Sequence, residues 1–346
     1  VWMDSPELVT EVKLTSDKHF LQFYIDKAAI AQGNAVVAIR NTAGEIMWSW
    51  HIWVTPLVSP TAPATDLMIN RTDDHYEFMQ YNLGWATATT MNYGAGNGTQ
   101  PRQIQVKITQ TGISNPAIET FTVLQSPASV ITKGNSPFWS WGRKDPLPPN
   151  NGLVNGADGE RTLWYGGAAY KFNSSSAQLS LGAAIKNPLR KINFDGNWCS
   201  TNYNNLWDAP NAAIGSAAMP DTTIVKTVYD PNPVGFKMPP INAWTRFLLP
   251  GNTASANMND INAVIFQNGG YNFYTQADRE GPTAVYPIAG TRPYNSMNVT
   301  VTSGYYFSAT PQSDVVSYSL ALTNSNVNIR SKNRRSLAMS VRPITD

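Results

Sequence analysis

Short stretches of alternating apolar and polar residues lie near both ends of the chain and predict β-strands. The clearest is Ile46–Val54, which carries large side chains on both faces. They are Trp48, Trp50, Ile52 and Val54 on one face, and Met47, Ser49, His51 and Trp53 on the other. A strand of this kind is expected to be covered on both sides. The apolar run 35–39 and the turn sequence Asn41-Thr-Ala-Gly44 precede it, which predicts a hairpin.

Other strands are predicted on either side of this hairpin. The segments 8–14 and 20–25 are short and rich in β-favouring residues. The segments 104–108 and 121–123 alternate around Asn115-Pro116 and predict a second hairpin. Near the end of the chain, the pattern predicts strands over 299–302, 305–309, 316–322 and 337–341.

The middle of the chain has weaker patterns. Residues 56–63 are rich in Pro, Ser and Thr and are predicted to be a linker or loop. Residues 66–80 have no clean periodicity, and residues 137–211 are predicted to be loop-rich. Two short helices are predicted. Pro239-Pro240 would begin one, with Trp244 and Phe247 on one side. Residues 254–266 would form the other, because four apolar residues recur at helical spacing: Met258, Ile261, Val264 and Ile265.

This order of elements predicts an α+β fold that is mainly antiparallel β, with a long loop region and a few short helices. We expect one domain over 1–346, with an N-terminal strand region at 1–55 and an inserted β-hairpin at 85–130. Because both ends are strand-like, we expect the first and last strands to pair with each other. The chain begins with Val1 rather than Met, which suggests the C-terminal part of a longer precursor.

Composition excludes several classes of protein. Charged residues make up 14% of the chain, against about 25% in typical soluble domains, and neutral polar residues take their place. The net charge is +2, and we interpret the one dense basic stretch, 330–335, as a solvated turn, so nucleic acid is not an expected partner. The sequence has no apolar run of the ~20 residues that span a bilayer. Cys199 is the only cysteine, which excludes an intrachain disulfide and thiolate metal centres.

Candidate catalytic groups are few. Serine-type hydrolysis needs a histidine, and we interpret His19 and His51 as structural residues of strands. His75 follows Asp73 and Asp74, but consecutive residues rarely converge on one ion, so no metal and no other cofactor is predicted. Glycoside hydrolysis needs two carboxylates at a set separation. A glycosidase remains open because the loops hold enough acids: Asp145, Asp158, Glu160, Asp195, Asp208, Asp278 and Glu280.

Aromatic residues are the other signal in the irregular part of the chain. Exposed Trp and Tyr side chains stack on sugar rings or anchor a protein partner. The candidate ligand-binding residues are Trp164, Tyr165, Trp207, Asp208, Tyr271 and Tyr274. The alternative is that such rings, Trp139 and Trp141 among them, fill a secondary core beneath the loops.

A series of short strings, in order along the chain, resembles the Fibrobacter succinogenes major paralogous domain. This family is common among fimbrillin-like surface proteins of gut Bacteroidales. The strings are Gly33-Asn-Ala-Val36, Trp48-Ser-Trp-His-Ile-Trp-Val-Thr55, Met79-Gln-Tyr-Asn-Leu-Gly84, Trp141-Gly-Arg-Lys-Asp-Pro146, Ile185-Lys-Asn-Pro188, Trp198-Cys199, Asn205-Leu-Trp207, Tyr229-Asp-Pro231 with Gly235 and Pro239, Gly304-Tyr-Tyr-Phe-Ser-Ala309, Tyr318-Ser-Leu320 and Ser340-Val-Arg342. Each string alone is weak, but their shared order covers nearly the whole chain.

The departures from the family pattern are informative. Asn232 and Pro343 stand where many members have cysteine, which fits a disulfide that is absent as a pair. Gln80-Tyr81 replaces the family's Asp-Arg, so an ion pair made by those residues elsewhere is missing here.

The resemblance implies a C-type lectin-like fold and no catalytic residues. It also implies an extracellular or outer-membrane surface location, with an adhesive or fimbria-associated role. The expected partners are an extracellular glycan or protein ligand and other fimbrial subunits. A surface glycosidase and a purely structural fimbrial subunit are the alternatives.

Overall fold

The structure is a computed structural model. It describes residues 1–3, 8–27, 30, 32–56, 65–87, 90–93, 100–131, 136–149, 158–159, 170–171, 174–215, 223–251, 253–266, 269–296 and 299–346. Strand makes up 44% of the described residues and helix 7%, and most strand pairs are antiparallel. The predicted β-rich, mainly antiparallel class is therefore confirmed.

The strands in chain order are β1 Trp2–Met3, β2 Thr10–Leu14, β3 Leu21–Tyr24, β4 Gly33–Arg40, β5 Ile46–Val54, β6 Thr65–Ile69, β7 His75–Met79, β8 Thr90–Tyr93, β9 Arg102–Thr109, β10 Ile118–Gln125, β11 Ala128–Ile131, β12 Trp139–Ser140, β13 Asp158–Gly159, β14 Tyr170–Lys171, β15 Ser174–Ser175, β16 Lys191–Ile192, β17 Phe236–Lys237, β18 Ala254–Ser255, β19 Ala263–Phe266, β20 Gly270–Tyr274, β21 Thr283–Pro287, β22 Ser303–Ser313, β23 Val316–Thr323, β24 Asn326–Arg334, β25 Ala338–Met339 and β26 Ile344–Thr345. The helical segments are α1 Leu181–Lys186 and the 3-10 turns Ile241–Phe247, Met258–Asp260 and Ala277–Arg279.

The chain divides into two compact units. The larger comprises Val1–Ala86 and Asn135–Asp346, and the smaller is Thr87–Gly134. In the smaller unit, β9 and β10 pair antiparallel with Phe121 opposite Val106, which confirms the second predicted hairpin. Strands β8 and β11 pair at its base.

The N-terminal sheet has the order β1-β4-β5, and the predicted β4–β5 hairpin is confirmed. Segments 8–14 and 20–25 contain β2 and β3, which pair with each other. Both faces of β5 are partly covered, as its aromatic pattern predicted. Leu8, Val9, Ala35 and Val37 pack on one side. On the other, the His51 ring lies 5.6 Å from that of Trp139.

The first and last strands do not pair with each other, so that prediction is wrong. Strand β1 pairs with β4. The last strand, β26, lies between β17 and β7 in the sheet β17-β26-β7-β6. The β6–β7 hairpin lies in segment 66–80, where no element was predicted. The Asn70 side chain stabilises its turn by accepting hydrogen bonds from the backbone N–H groups of Thr72 and Asp74, both at 2.9 Å.

The C-terminal sheet has the order β18-β24-β23-β22. It contains the predicted segments 305–309 and 316–322, whereas segment 299–302 precedes β22 and makes only a single bridge through Thr300. The solvated turn predicted at 330–335 is wrong, because β24 runs from Asn326 to Arg334 and Arg335 is fully buried. Strand β24 is rich in polar residues, and some of them bond to the neighbouring strand. Asn333 donates a 2.7 Å hydrogen bond to Ser319 Oγ in that strand.

One of the two predicted helices forms. Pro240 precedes the 3-10 turn Ile241–Phe247, which buries Trp244 and Phe247 as expected. The helix predicted over 254–266 is wrong. That segment holds β18, a 3-10 turn and β19, which pairs with β20. Ile261 is buried while Val264 is exposed, so the apolar residues do not share the helical face that their spacing suggested.

Two glycines of the family-like strings occupy positions that a side chain could not. Gly84 has φ +72°, and an added Cβ would lie 2.6 Å from Asn34 Oδ1 and from Pro137. Gly142 has φ +84°, and its Cβ would lie 2.6 Å from Leu206. Only glycine adopts this conformation without strain, so both residues have a packing role.

Candidate functional site

Four of the six predicted ligand-binding residues lie in the described part of the chain, and they do not form an exposed cluster. Trp164 and Tyr165 lie outside the described residues. Trp207 and Tyr271 are fully buried in two different core clusters, Asp208 is 2% exposed, and Tyr274 is half-buried. A binding role requires exposed side chains, so the prediction is wrong for Trp207, Asp208 and Tyr271.

Each of these buried groups has a structural partner. The Trp207 indole N–H donates to the Tyr229 carbonyl at 3.1 Å, and its ring lies 5.5 Å from Trp141. The Asp208 carboxylate accepts from the Val225 N–H at 2.7 Å, and burial raises its pKa. The Tyr271 hydroxyl donates to the Thr323 carbonyl at 2.7 Å. Trp139, Trp141 and Trp207 thus share one core cluster, as the alternative interpretation expected, whereas Tyr271 belongs to another.

A shallow depression of about 220 Å³ lies between residues 142–145 and helix α1, with Trp198 and Tyr229 at its wall. Helix α1 begins at Ser180, whose hydroxyl accepts from the Ala183 N–H at 3.2 Å. This volume includes open solvent, and the enclosed part has room for about one water molecule, so the depression is too small for a small-molecule ligand. Residues 142–145 of the family-like string line it.

Arg143 closes one side of the depression and has a structural role. Its guanidinium donates to the carbonyls of Asn187 at 3.2 Å and Pro188 at 3.0 Å, just beyond the C-terminus of α1. It also lies over the Trp198 ring, 5.7 Å from the centroid. Burial lowers the pKa of Arg143, and the carbonyl oxygens compensate for the lost hydration.

Lys144 and Asp145 form a buried ion pair at the other side. The Lys144 ammonium lies 2.8 Å from Asp145 Oδ1 and 2.9 Å from the Ser49 carbonyl, and the Ser49 hydroxyl donates to Asp145 Oδ1 at 2.7 Å. The side chains of Lys144 and Asp145 are only 8% and 4% exposed. Burial lowers the pKa of Lys144 more than the neighbouring carboxylate raises it. This network joins β5 to the segment around residue 145.

The string Tyr229-Asp-Pro231 forms a second buried polar site. The Asp230 carboxylate accepts from the N–H groups of Asn232 at 2.8 Å and Met238 at 2.9 Å, and burial raises its pKa to about 6. The Lys226 ammonium donates to the carbonyls of Asn232 at 2.7 Å and Pro233 at 2.6 Å. These bonds fix the loop that leads into β17. Sequence analysis missed this role, since only the family-like string marked the place.

The acids considered for glycoside hydrolysis have different contacts in the structure. Asp145 and Asp208 are engaged as described, and Asp195 forms an exposed 2.8 Å ion pair with Arg334. Asp278 and Glu280 lie in and beside the 3-10 turn Ala277–Arg279. Nothing is described for the side chains of Asp158 and Glu160. Among the described residues, no three His, Cys, Asp or Glu side chains are grouped so that they could hold a metal ion.

His51 is the histidine with the most perturbed environment. Its Nε2 lies 2.9 Å from Asn34 Oδ1, and burial lowers its pKa from 6.5 to about 3. The unfolded state therefore binds the proton more readily, so stability is present above pH 6.5 and is lost as pH falls towards 3. Between neutral pH and pH 4, we expect His51→Gln to lose up to about 3 kcal/mol less stability than the wild type.

The measurement is urea unfolding between neutral pH and pH 4 of the wild type, His51→Gln and the exposed-site control His75→Gln. Asp230 titrates with the opposite sign in all three proteins and cancels in the differences. If His51→Gln and the wild type lost stability equally on acidification, a neutral buried His51 would be ruled out.

Comparison with family models, with curated proteins and with solved structures finds no match to this chain. In the described part of the chain, no helix is both long and apolar enough to cross a membrane.

Proposed function

We propose that this chain is a β-rich binding protein of the bacterial cell surface, adhesive or fimbria-associated, of the kind suggested by its resemblance to the Fibrobacter succinogenes major paralogous domain. Its ligand is an extracellular glycan or protein. The location, the extracellular or outer-membrane surface, belongs to the same proposal. The low charge of the chain supports this role, since neutral polar surfaces are typical of strand-and-loop proteins outside cells.

A C-type lectin-like arrangement is part of this proposal. Its support is the pairing of β7 with β26, which joins strands from near the two ends of segment 65–346. The sheet β1-β4-β5 and the hairpin β2–β3 add to this arrangement from the N-terminal side.

The observation that carries the binding role is the exposure of aromatic rings on the N-terminal strands. Phe20 is 67% exposed, Tyr24 52%, Phe23 40% and Trp50 37%. Aromatic residues dominate both protein hot spots and sugar-stacking sites. These rings replace the buried candidates Trp207 and Tyr271 as the best placed to meet a ligand.

The test is binding of the purified chain to a glycan array and to immobilised host matrix proteins. We expect binding to at least one ligand, reduced at least about tenfold in Phe20→Ala/Tyr24→Ala. The matched control is Val228→Ala, an exposed apolar residue elsewhere in the same unit (67% exposed). If the chain binds neither the glycan array nor the matrix proteins, a purely structural subunit is favoured. Release of sugar from complex glycans would favour the glycosidase alternative.

A further inference from the structure

The β9–β10 hairpin of the smaller unit has one apolar face. Residues directly opposite each other in an antiparallel pair lie on the same face, and the register places Ile104 opposite Val123 and Val106 opposite Phe121. Ile108 continues the row beside Glu119, and Arg102 begins it beside Gln125. The opposite face is mainly polar, with Gln103, Gln105, Lys107, Thr120 and Thr122, and has Ile118 and Leu124 at its two ends.

This apolar face is exposed to solvent. Ile104 is 55% exposed, Ile108 56%, Phe121 48% and Val123 46%, so the side chains form a continuous patch along both strands. A two-stranded hairpin is at best marginally stable without a covered face. Contiguous apolar patches of a few hundred Å² on a soluble protein mark interaction surfaces.

We propose that this face is the contact surface between two copies of this chain. The placement of charge favours a second copy as the occupant. Arg102 lies at one end of the apolar row and Glu119 near the other, so the face carries opposite charges at its two ends. A two-fold rotation that sets the hairpins antiparallel brings the positive end of each copy over the negative end of the other, with the apolar residues between them.

The expected contact is a small sandwich of two hairpins, packed as sheets pack face to face. A standard interface buries about 800 Å² per partner, and a face of this length supplies less. The dimer is therefore weak and reversible, with dissociation in the micromolar range. This self-contact is separate from the proposed ligand-binding role and involves the smaller unit alone.

The experiment is sedimentation equilibrium of the full chain over a concentration series that spans the micromolar range. We expect a reversible monomer–dimer equilibrium. Phe121→Lys, on the apolar face, is expected to raise the dissociation constant at least about tenfold. Thr122→Lys adds the same charge to the adjacent residue on the other face and is expected to leave the constant within about twofold. Ile104→Lys and Gln105→Lys form a second such pair on β9, should Phe121→Lys fail to fold by circular dichroism.

Two results would overturn the proposal. One is a wild type that stays monomeric throughout the series, and the other is a dimer that the apolar-face variants leave intact. The array experiment separates this failure from that of the proposed function. If a monomeric wild type still binds a ligand, and Phe121→Lys abolishes that binding, the hairpin contacts the ligand and the self-contact is wrong.

Discussion

Replacing Asp145 by alanine is expected to cost about 3–5 kcal/mol of the free energy of unfolding. The substitution leaves the Lys144 ammonium, whose side chain is only 8% exposed, without the carboxylate 2.8 Å away. It also removes the acceptor of the Ser49 hydroxyl. We therefore expect a larger loss of stability than two neutral hydrogen bonds would give. A buried charge that has lost its partner is more costly than the removal of both charges.

Chemical denaturation measures the free energy of unfolding, and two further variants show whether charge causes the loss. Glu45→Ala breaks the Glu45–Lys186 pair, whose side chains are both 49% exposed, and should lower stability far less than Asp145→Ala. The double variant Lys144→Met/Asp145→Leu removes both charges and should recover most of the loss. A double variant as unstable as Asp145→Ala would mean that shape or the Ser49 bonds, rather than charge, stabilise this contact.

The hairpins could be predicted because their signals are local. In β4–β5 the alternation of large side chains and the turn Asn41-Thr-Ala-Gly44 lie within one segment, and Gly44 takes the positive φ that such a turn needs. The β6–β7 hairpin escaped prediction because its turn depends on one side chain, Asn70, between strands with little alternation.

The wrong helix at 254–266 has a long-range cause. The spacing of its apolar residues fits a helix, but the partner strand β20 supplies Phe273 opposite Ala263. Phe273 in turn stacks on Phe247, with the ring centroids 3.7 Å apart. At the start of the segment, β18 pairs with β24, where Ala254 lies opposite Asn328. Neither β24 nor Phe247 lies within the segment, so tertiary pairing overrides its local periodicity.

The buried polar site around residues 142–145 could be located but not explained from sequence. The string Trp141-Gly-Arg-Lys-Asp-Pro146 marked the place, whereas its partners lie far along the chain. Ser49 is 95 residues from Lys144, and the carbonyls that Arg143 caps are more than 40 residues away. Separation along the chain also hid the role of Trp207, which was predicted to meet a ligand but donates its N–H to the Tyr229 carbonyl, 22 residues away.

Arg335 is expected to give the second large effect. It is fully buried, and its guanidinium donates to the carbonyls of Tyr203 and Ser313, both at 2.6 Å, and to the Asn204 side chain. It also lies over the Trp141 ring, 4.2 Å from the centroid. Burial lowers its pKa to about 10, so it stays charged at neutral pH. Charge-assisted hydrogen bonds contribute about 1.5–3 kcal/mol each, and we expect Arg335→Ala to cost at least about 4 kcal/mol.

The adjacent Arg334 is the matched control for this measurement. Its side chain is 42% exposed and pairs with Asp195 on the surface, so Arg334→Ala should cost less than about 1 kcal/mol. Thermal and urea unfolding of the two variants show whether Arg335 belongs to a solvated basic run or is a buried residue that holds loops together. Equal, small losses would mean that Arg335 lies in water. A large loss at Arg335 alone would place it in the core, where one guanidinium joins the loop at residues 203–204 to the end of β22.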